Sequence, residues 1–260
     1  MPSTARVSHR RILRGPFPIV ILVLLLSSSI AAAQTHQESP LNARRNTFGV
    51  LFAYSNDSSH MLLGEAENRK LLDIGVSYNR RLWANRIVDW EYSGELLPIA
   101  LESDPLQVTT TTFTYTNPPL TFTSTLGTPT IASCQGFSGS GSIPNGGPTF
   151  SYVATCARRW TVGEAFSPVG FQWNFLTYRR LEPFFVGHGG TMYSSETIPV
   201  AYSGNFNFTF DLGAGVEFFR TRAQSVRAEY RYHHISNDWT AASNPGIDSG
   251  LLQVTYTFGR

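Results

Sequence analysis

Phe206-Asn207-Phe208-Thr209-Phe210-Asp211-Leu212-Gly213-Ala214-Gly215-Val216-Glu217-Phe218 decides the fold. Successive side chains of a strand point to opposite faces. The even positions put four phenylalanines, Leu212, Ala214 and Val216 on one side. The odd positions put Asn207, Thr209, Asp211, Glu217 and two glycines on the other. The stretch slightly exceeds the roughly 9–11 residues that a tilted strand needs to cross a bilayer.

The same period-two pattern recurs along the chain. Phe48, Val50, Phe52 and Tyr54 share a face. Leu72, Ile74, Val76 and Tyr78 oppose Asp73, Ser77 and Asn79. Val88, Trp90 and Tyr92 oppose Asp89, Glu91 and Ser93. Val169, Phe171, Trp173 and Phe175 oppose Gln172 and Asn174. Leu252, Val254, Tyr256 and Phe258 oppose Gln253, Thr255 and Thr257. Strands are expected at about 46–56, 70–83, 86–97, 168–179, 181–194, 204–220, 224–236 and 249–258. A soluble β-sandwich also alternates. Long strands, charges on the polar face and aromatics at strand ends favour an all-β, eight-stranded antiparallel transmembrane β-barrel of the outer membrane. Arg227, Glu229, Arg231, Asp211 and Glu217 are placed to fill its interior, which argues against a transport pore.

Residues 1–33 read as a signal peptide. Arg6, Arg10, Arg11 and Arg14 form a positive start, Ile19 to Leu26 an apolar core, and Ala31-Ala32-Ala33 a small-residue cleavage site. The alternative is a retained anchor, for which the apolar core is short of the ~20 residues of a spanning helix. Residues 34–260 then form a single domain. The whole chain is +2, but the first 33 residues hold four arginines and no acid, so the remainder is about −2. No nucleic-acid partner is expected. In an exported chain, Cys134 and Cys156 favour a disulfide, two free thiols being the alternative, and with no nearby histidine a metal site is not expected.

An even strand count with both ends in the periplasm puts the longest connection, about 98–167, outside the cell. It is rich in Thr, Ser, Gly and Pro and is expected as an inserted extracellular loop capping the surface. Val108 to Tyr115 and Thr149 to Ala154 are able to extend the flanking strands above the membrane.

The chemistry-bearing stretch is Arg231-Tyr232-His233-His234-Ile235-Ser236-Asn237, followed by Asn244-Pro245-Gly246-Ile247-Asp248. His234 and Ser236 share the face of Val226, Ala228, Tyr230 and Tyr232, which points to lipid, whereas His233 points inward. Polar groups on a lipid face are costly and mark function by default. A base, a hydroxyl and a carboxylate are the parts needed to cleave an ester. The bland alternative is the wet rim of a barrel.

This stretch resembles the C-terminal signature of the lipid A 3-O-deacylase (PagL, acyloxyacyl hydrolase-like) family. The resemblance is strongest over 226–258, weaker over the other strands and absent over roughly 100–165. It implies an outer-membrane ester hydrolase acting on the lipid A anchor of lipopolysaccharide and needing no cofactor. His234 is then the base, Ser236 the nucleophile and Asp248 the carboxylate, with Asn237 and Asn244 as oxyanion donors or supports. Asp248 stands where that family usually has Glu, one methylene longer. The long connection is a second departure and keeps open a non-catalytic barrel with a structural or surface-binding role. A homodimer is left open.

Overall fold

The computed structural model describes residues 44–85, 87–177 and 179–260. The expected signal peptide, 1–33, lies outside the described residues. The described residues form ten strands: β1 (Asn46–Ser55), β2 (Lys70–Ala84), β3 (Val88–Thr116), β4 (Pro119–Pro129), β5 (Phe137–Ser142), β6 (Thr149–Phe175), β7 (Leu181–Ser194), β8 (Phe206–Phe219), β9 (Gln224–Ser236) and β10 (Ile247–Gly259). All pairings among them are antiparallel. Eight strands close a ring in the order β1-β2-β3-β6-β7-β8-β9-β10, sealed by β3 against β6 and by β1 against β10. The remaining two, β4 and β5, flank the upper halves of β3 and β6 outside the ring.

The alternation separates two solvents. Phe48, Val50 and Phe52 are each about half exposed on the outer wall, as are Val76, Phe218 and Leu252. Glu91, Glu95, Glu217, Glu229, Arg227 and Arg231 are buried inside. A soluble sandwich buries the apolar face, and here the apolar face is the outer one. The arginines inside are paired. Arg231 bridges Glu95 at 2.7 Å, Glu229 at 3.0 Å and Asp211 at 3.4 Å. Arg227 bridges Glu217 at 2.8 Å, and Arg44 holds the same carboxylate at 2.6 Å. Buried ions are tolerated only when paired this closely.

One end of the ring has the short turns 85–87, 176–180 and 220–223. Rings gather on the outer wall near it, in the chains Phe258–Phe48–Tyr78–Tyr92 and Trp90–Phe171–Trp173–Phe185, with centroids 5.2–6.3 Å apart. An aromatic girdle beside short turns is how such barrels meet the periplasmic interface.

At the other end Val108–Tyr115 and Thr149–Ala154 extend the flanking strands as expected, and the structure departs from expectation in how much else is strand. Most of 98–167 is strand rather than loop. The β3–β6 ladder runs unbroken from Ala100↔Gly163 to Thr114↔Thr149, and β4 and β5 widen it to four strands. The Thr and Ser runs that look like low complexity are β-branched or small residues in strict alternation, which suits a pleated sheet with two exposed faces. Cys134 and Cys156 are joined, with Cα atoms 5.8 Å apart. Arg69, fully buried, ties the outer connections together. Its guanidinium donates to the carbonyls of Glu67, Thr130, Ile131 and Pro199 and lies 3.3 Å from Asp104.

Candidate active site

Antiparallel register brings the chemistry together. Asp248 opens β10 directly opposite His234 on β9. In such a pair the Cα atoms are only about 4.5–5.5 Å apart, so a short carboxylate reaches the ring. His234 Nδ1 lies 2.6 Å from Asp248 Oδ1. A carboxylate only accepts, so Nδ1 carries the proton and Nε2 is left as the basic nitrogen. The sequence raised the question whether aspartate is too short here; the direct cross-strand pairing answers it for this contact.

Asp248 is completely buried and its acceptor sites are filled. Tyr232 Oη donates to Oδ1 at 2.8 Å, from the same face of β9. The backbone N–H groups of Leu62 and Leu63 donate to Oδ2 at 2.7 and 2.8 Å. These amides come from the β1–β2 connection, which folds over the outer ends of β9 and β10. Its Glu65 and Ala66 N–H groups donate to the carbonyls of Pro245 and Gly246, and Ser59 N–H donates to that of Asp248. His234 therefore has the outward parity expected of it, yet it is only 8% exposed, because this connection and the Asn244–Gly246 turn cover it.

Two glycines permit the cover. A Cβ on Gly64 would lie 2.6 Å from the Asp248 nitrogen. Gly246 has φ +62° and packs against the ring of His234, where a Cβ would meet Cε1 at 3.1 Å.

Ser236 lies two residues beyond His234 on the same face, and both line an open cleft with Leu63, Phe208, Phe210 and Asn244. Among the described residues, no hydrogen bond joins Ser236 Oγ to His234. Such contacts commonly tighten only when substrate binds.

The two asparagines differ. The side-chain N–H groups of Asn237 donate to the carbonyls of Ser203 and Ser243, and its backbone N–H donates to Asn244 Oδ1. Asn237 thus has no donor for an oxyanion and is a structural support between the β7–β8 and β9–β10 connections. Asn244 has its oxygen engaged by Asn237, which leaves Nδ2 as its donor beside the cleft. Tyr232 and the β1–β2 amides escape sequence reasoning. Tyr232 reads as one more lipid-facing aromatic, and a backbone donor leaves no trace in residue type.

A second Ser–His–Asp set lies inside the barrel. His188 Nδ1 is 3.0 Å from Asp211 Oδ1, and Nε2 is 2.9 Å from Ser93 Oγ. All three are buried, and Arg231 approaches both His188 and Asp211. A Cβ on Gly170, packed on the His188 ring, would meet it at 2.2 Å. An ester has no space there.

A closed barrel with an apolar wall, a charged interior, a girdle and a polar cluster at its outer rim is an outer-membrane β-barrel protein. The family model described as "Lipid A 3-O-deacylase (PagL)" matches residues 135–257, so the resemblance carried by the His234–Asp248 stretch holds for that part of the chain. The chain is similar in structure to the outer membrane enzyme PagL, at 15% identity and TM-score 0.46, over 82% of this chain and 99% of that one. It is also similar to Neisserial surface protein A (NspA), at 12% identity and TM-score 0.39, over 82% and 97%. No curated protein matches it.

Proposed function

We propose that the protein is an outer-membrane esterase that hydrolyses the 3-O-linked acyl chain of lipid A. Ser236 Oγ attacks the ester carbonyl while His234 Nε2 takes its proton. Asp248 holds the ring in the tautomer that leaves Nε2 basic and stabilises the imidazolium that forms. Asn244 Nδ2 is the side-chain donor placed to meet the developing oxyanion. The sugar hydroxyl leaves with the proton from His234. Water, deprotonated by the same nitrogen, then releases the fatty acid and regenerates Ser236.

The observation that carries this reading is the 2.6 Å His234–Asp248 contact on the outer wall, with Ser236 on the same face of the same cleft. The family match supports the substrate class. The cleft opens beside Phe208 and Phe210, whose rings belong to the lipid-facing wall, so an acyl chain reaches the serine without leaving hydrocarbon. Mass spectrometry of lipid A from cells expressing the protein tests it. Loss of one 3-O-linked acyl chain is expected, and Ser236→Ala abolishes it while the barrel still folds. An unchanged acyl pattern with inserted, folded protein overturns the reading.

A further inference from the structure

The four-stranded extension has two unlike faces. From Pro105 to Ala157 the sequence contains no Asp, Glu, Lys, Arg or His. The register sets Thr110, Thr112 and Thr114 beside Thr125, Thr123 and Thr121 on one face, with Ser138, Ser140 and Ser151 continuing it. The opposite face carries a row of rings across all four strands, Phe122–Phe113–Phe150–Tyr152–Phe137. Neighbouring centroids are 5.7, 6.2, 6.4 and 5.9 Å apart. Phe122 and Phe137 are half exposed, and Thr111, Ser124, Gly139 and Gly141 between the rings are too small to screen them.

The row belongs to the outward parity. Phe150 and Tyr152 continue the series of Val162, Glu164 and Phe166 on β6, and the β3–β6 ladder has no shift between the two levels. Above the exposed charge of Glu164 on that face Val162 and Trp160 are still half exposed, and Trp160 is the last exposed apolar side chain of the wall below the extension. Phe150 lies ten residues further along the strand from Trp160, about 33 Å at ~3.3 Å per residue. Even at the ~45° tilt of barrel strands, the row stands far above hydrocarbon. The layer that occupies this height around an outer-membrane protein is the saccharide of the outer leaflet's glycolipid.

We propose that this aromatic face is a saccharide-binding platform for that glycan. Sugar rings present C–H faces that pack on aromatic rings, and hydroxyls that pair with Thr111, Ser124 and Tyr152. A neutral polyol suits a surface without a single charge, whereas phosphate or an acidic polymer finds no cation there. Exposed apolar patches of this extent mark contact surfaces, and continuity with the lipid-facing wall fixes what this one meets. The platform does not depend on the esterase reading.

The probe is a lipid-free, neutral oligosaccharide fraction of lipopolysaccharide, freed of acidic and phosphorylated fragments. It is titrated into the full chain in detergent micelles, with calorimetry or saturation-transfer NMR as the readout. Wild type binds, Phe113→Ser with Phe150→Ser weakens binding at least tenfold, and Phe113→Trp retains it. Thr112→Val with Thr123→Val, on the other face, leaves binding unchanged. Heat-shifted gel mobility checks folding in each case. Absence of wild-type binding, or equal binding by the Phe→Ser pair, overturns the proposal. So does self-association that the Phe→Ser pair abolishes while oligosaccharide has no effect, because the face then serves a second copy. Lipid A hydrolysis is measured in parallel, and its absence bears on the esterase reading alone.

Discussion

At the scale of the residue, access separates two arrangements with the same three residue types. Ser93–His188–Asp211 is hydrogen-bonded through all three members, whereas the set at the rim is joined only at His234–Asp248, but the inner set is sealed among Arg231, Glu95 and the packed glycine of β6. Ser93→Ala is therefore expected to leave deacylation within about twofold of wild type, measured on purified protein with lipid A in mixed micelles. At the rim, Asp248→Asn keeps a side chain of the same size but removes the charge and presents an N–H where His234 now donates. The expected loss in kcat is roughly three to four orders of magnitude, by analogy with the same change in serine protease triads. Unaltered kcat in this variant would mean that the carboxylate does not act through His234. Parity alone makes His234 and Ser236 readable, because i and i+2 share a face. Asp248 is readable because an antiparallel neighbour of known register must pass His234. Asn237 is readable only as a donor or a support, since its residue type suits both, and its two carbonyl partners on separate connections favour the support.

At the scale of the element, the β1–β2 connection is part of the site. Its segment Leu62–Gly64 lies against Asp248, and Gly64 is what lets the backbone come that close. Gly64→Ala forces this segment outward and removes amides from Oδ2. Misplacement on the order of 1 Å costs about 100-fold in rate. The expected signature is a fall in kcat with the barrel's unfolding transition unchanged, checked by urea titration beside steady-state kinetics. No sequence pattern announces such a role, because every residue but proline has an N–H to offer. The extension is readable only in part, in Val108–Tyr115 and Thr149–Ala154 as prolongations of their strands, while β4 and β5 are not, for a different reason. Its threonines and serines alternate as any strand does, but neither face is aliphatic, so the signal that separates strand from linker is muted there.

At the scale of the whole molecule, the barrel is a sheet whose core is ionic. Arg231 alone engages Glu95, Glu229 and Asp211. Removing one partner of a buried ion pair typically costs about 3–5 kcal/mol, because the remaining charge stays buried and unpaired. Arg231→Leu is expected to lower the unfolding free energy in lipid bilayers by that order, while Arg80→Leu, on the exposed outer face near the periplasmic rim, changes it by less than about 1 kcal/mol. The ring itself is legible in the sequence, because most of its segments repeat one apolar–polar alternation, the glycine-broken Phe184–Tyr193 segment being less clear.

The ring order has one more consequence. Going either way round from β3 and β6, two strands intervene before β9 or β10. The mast of sheet and the cleft therefore face opposite quarters of the membrane plane. Because β3 and β6 are single strands from wall to tip, the mast has no joint at which to swing across. A glycolipid leaning on one flank and a glycolipid entering the other are different molecules. On the two proposed readings together, the protein stands moored on one side while it works on the traffic that drifts past the other.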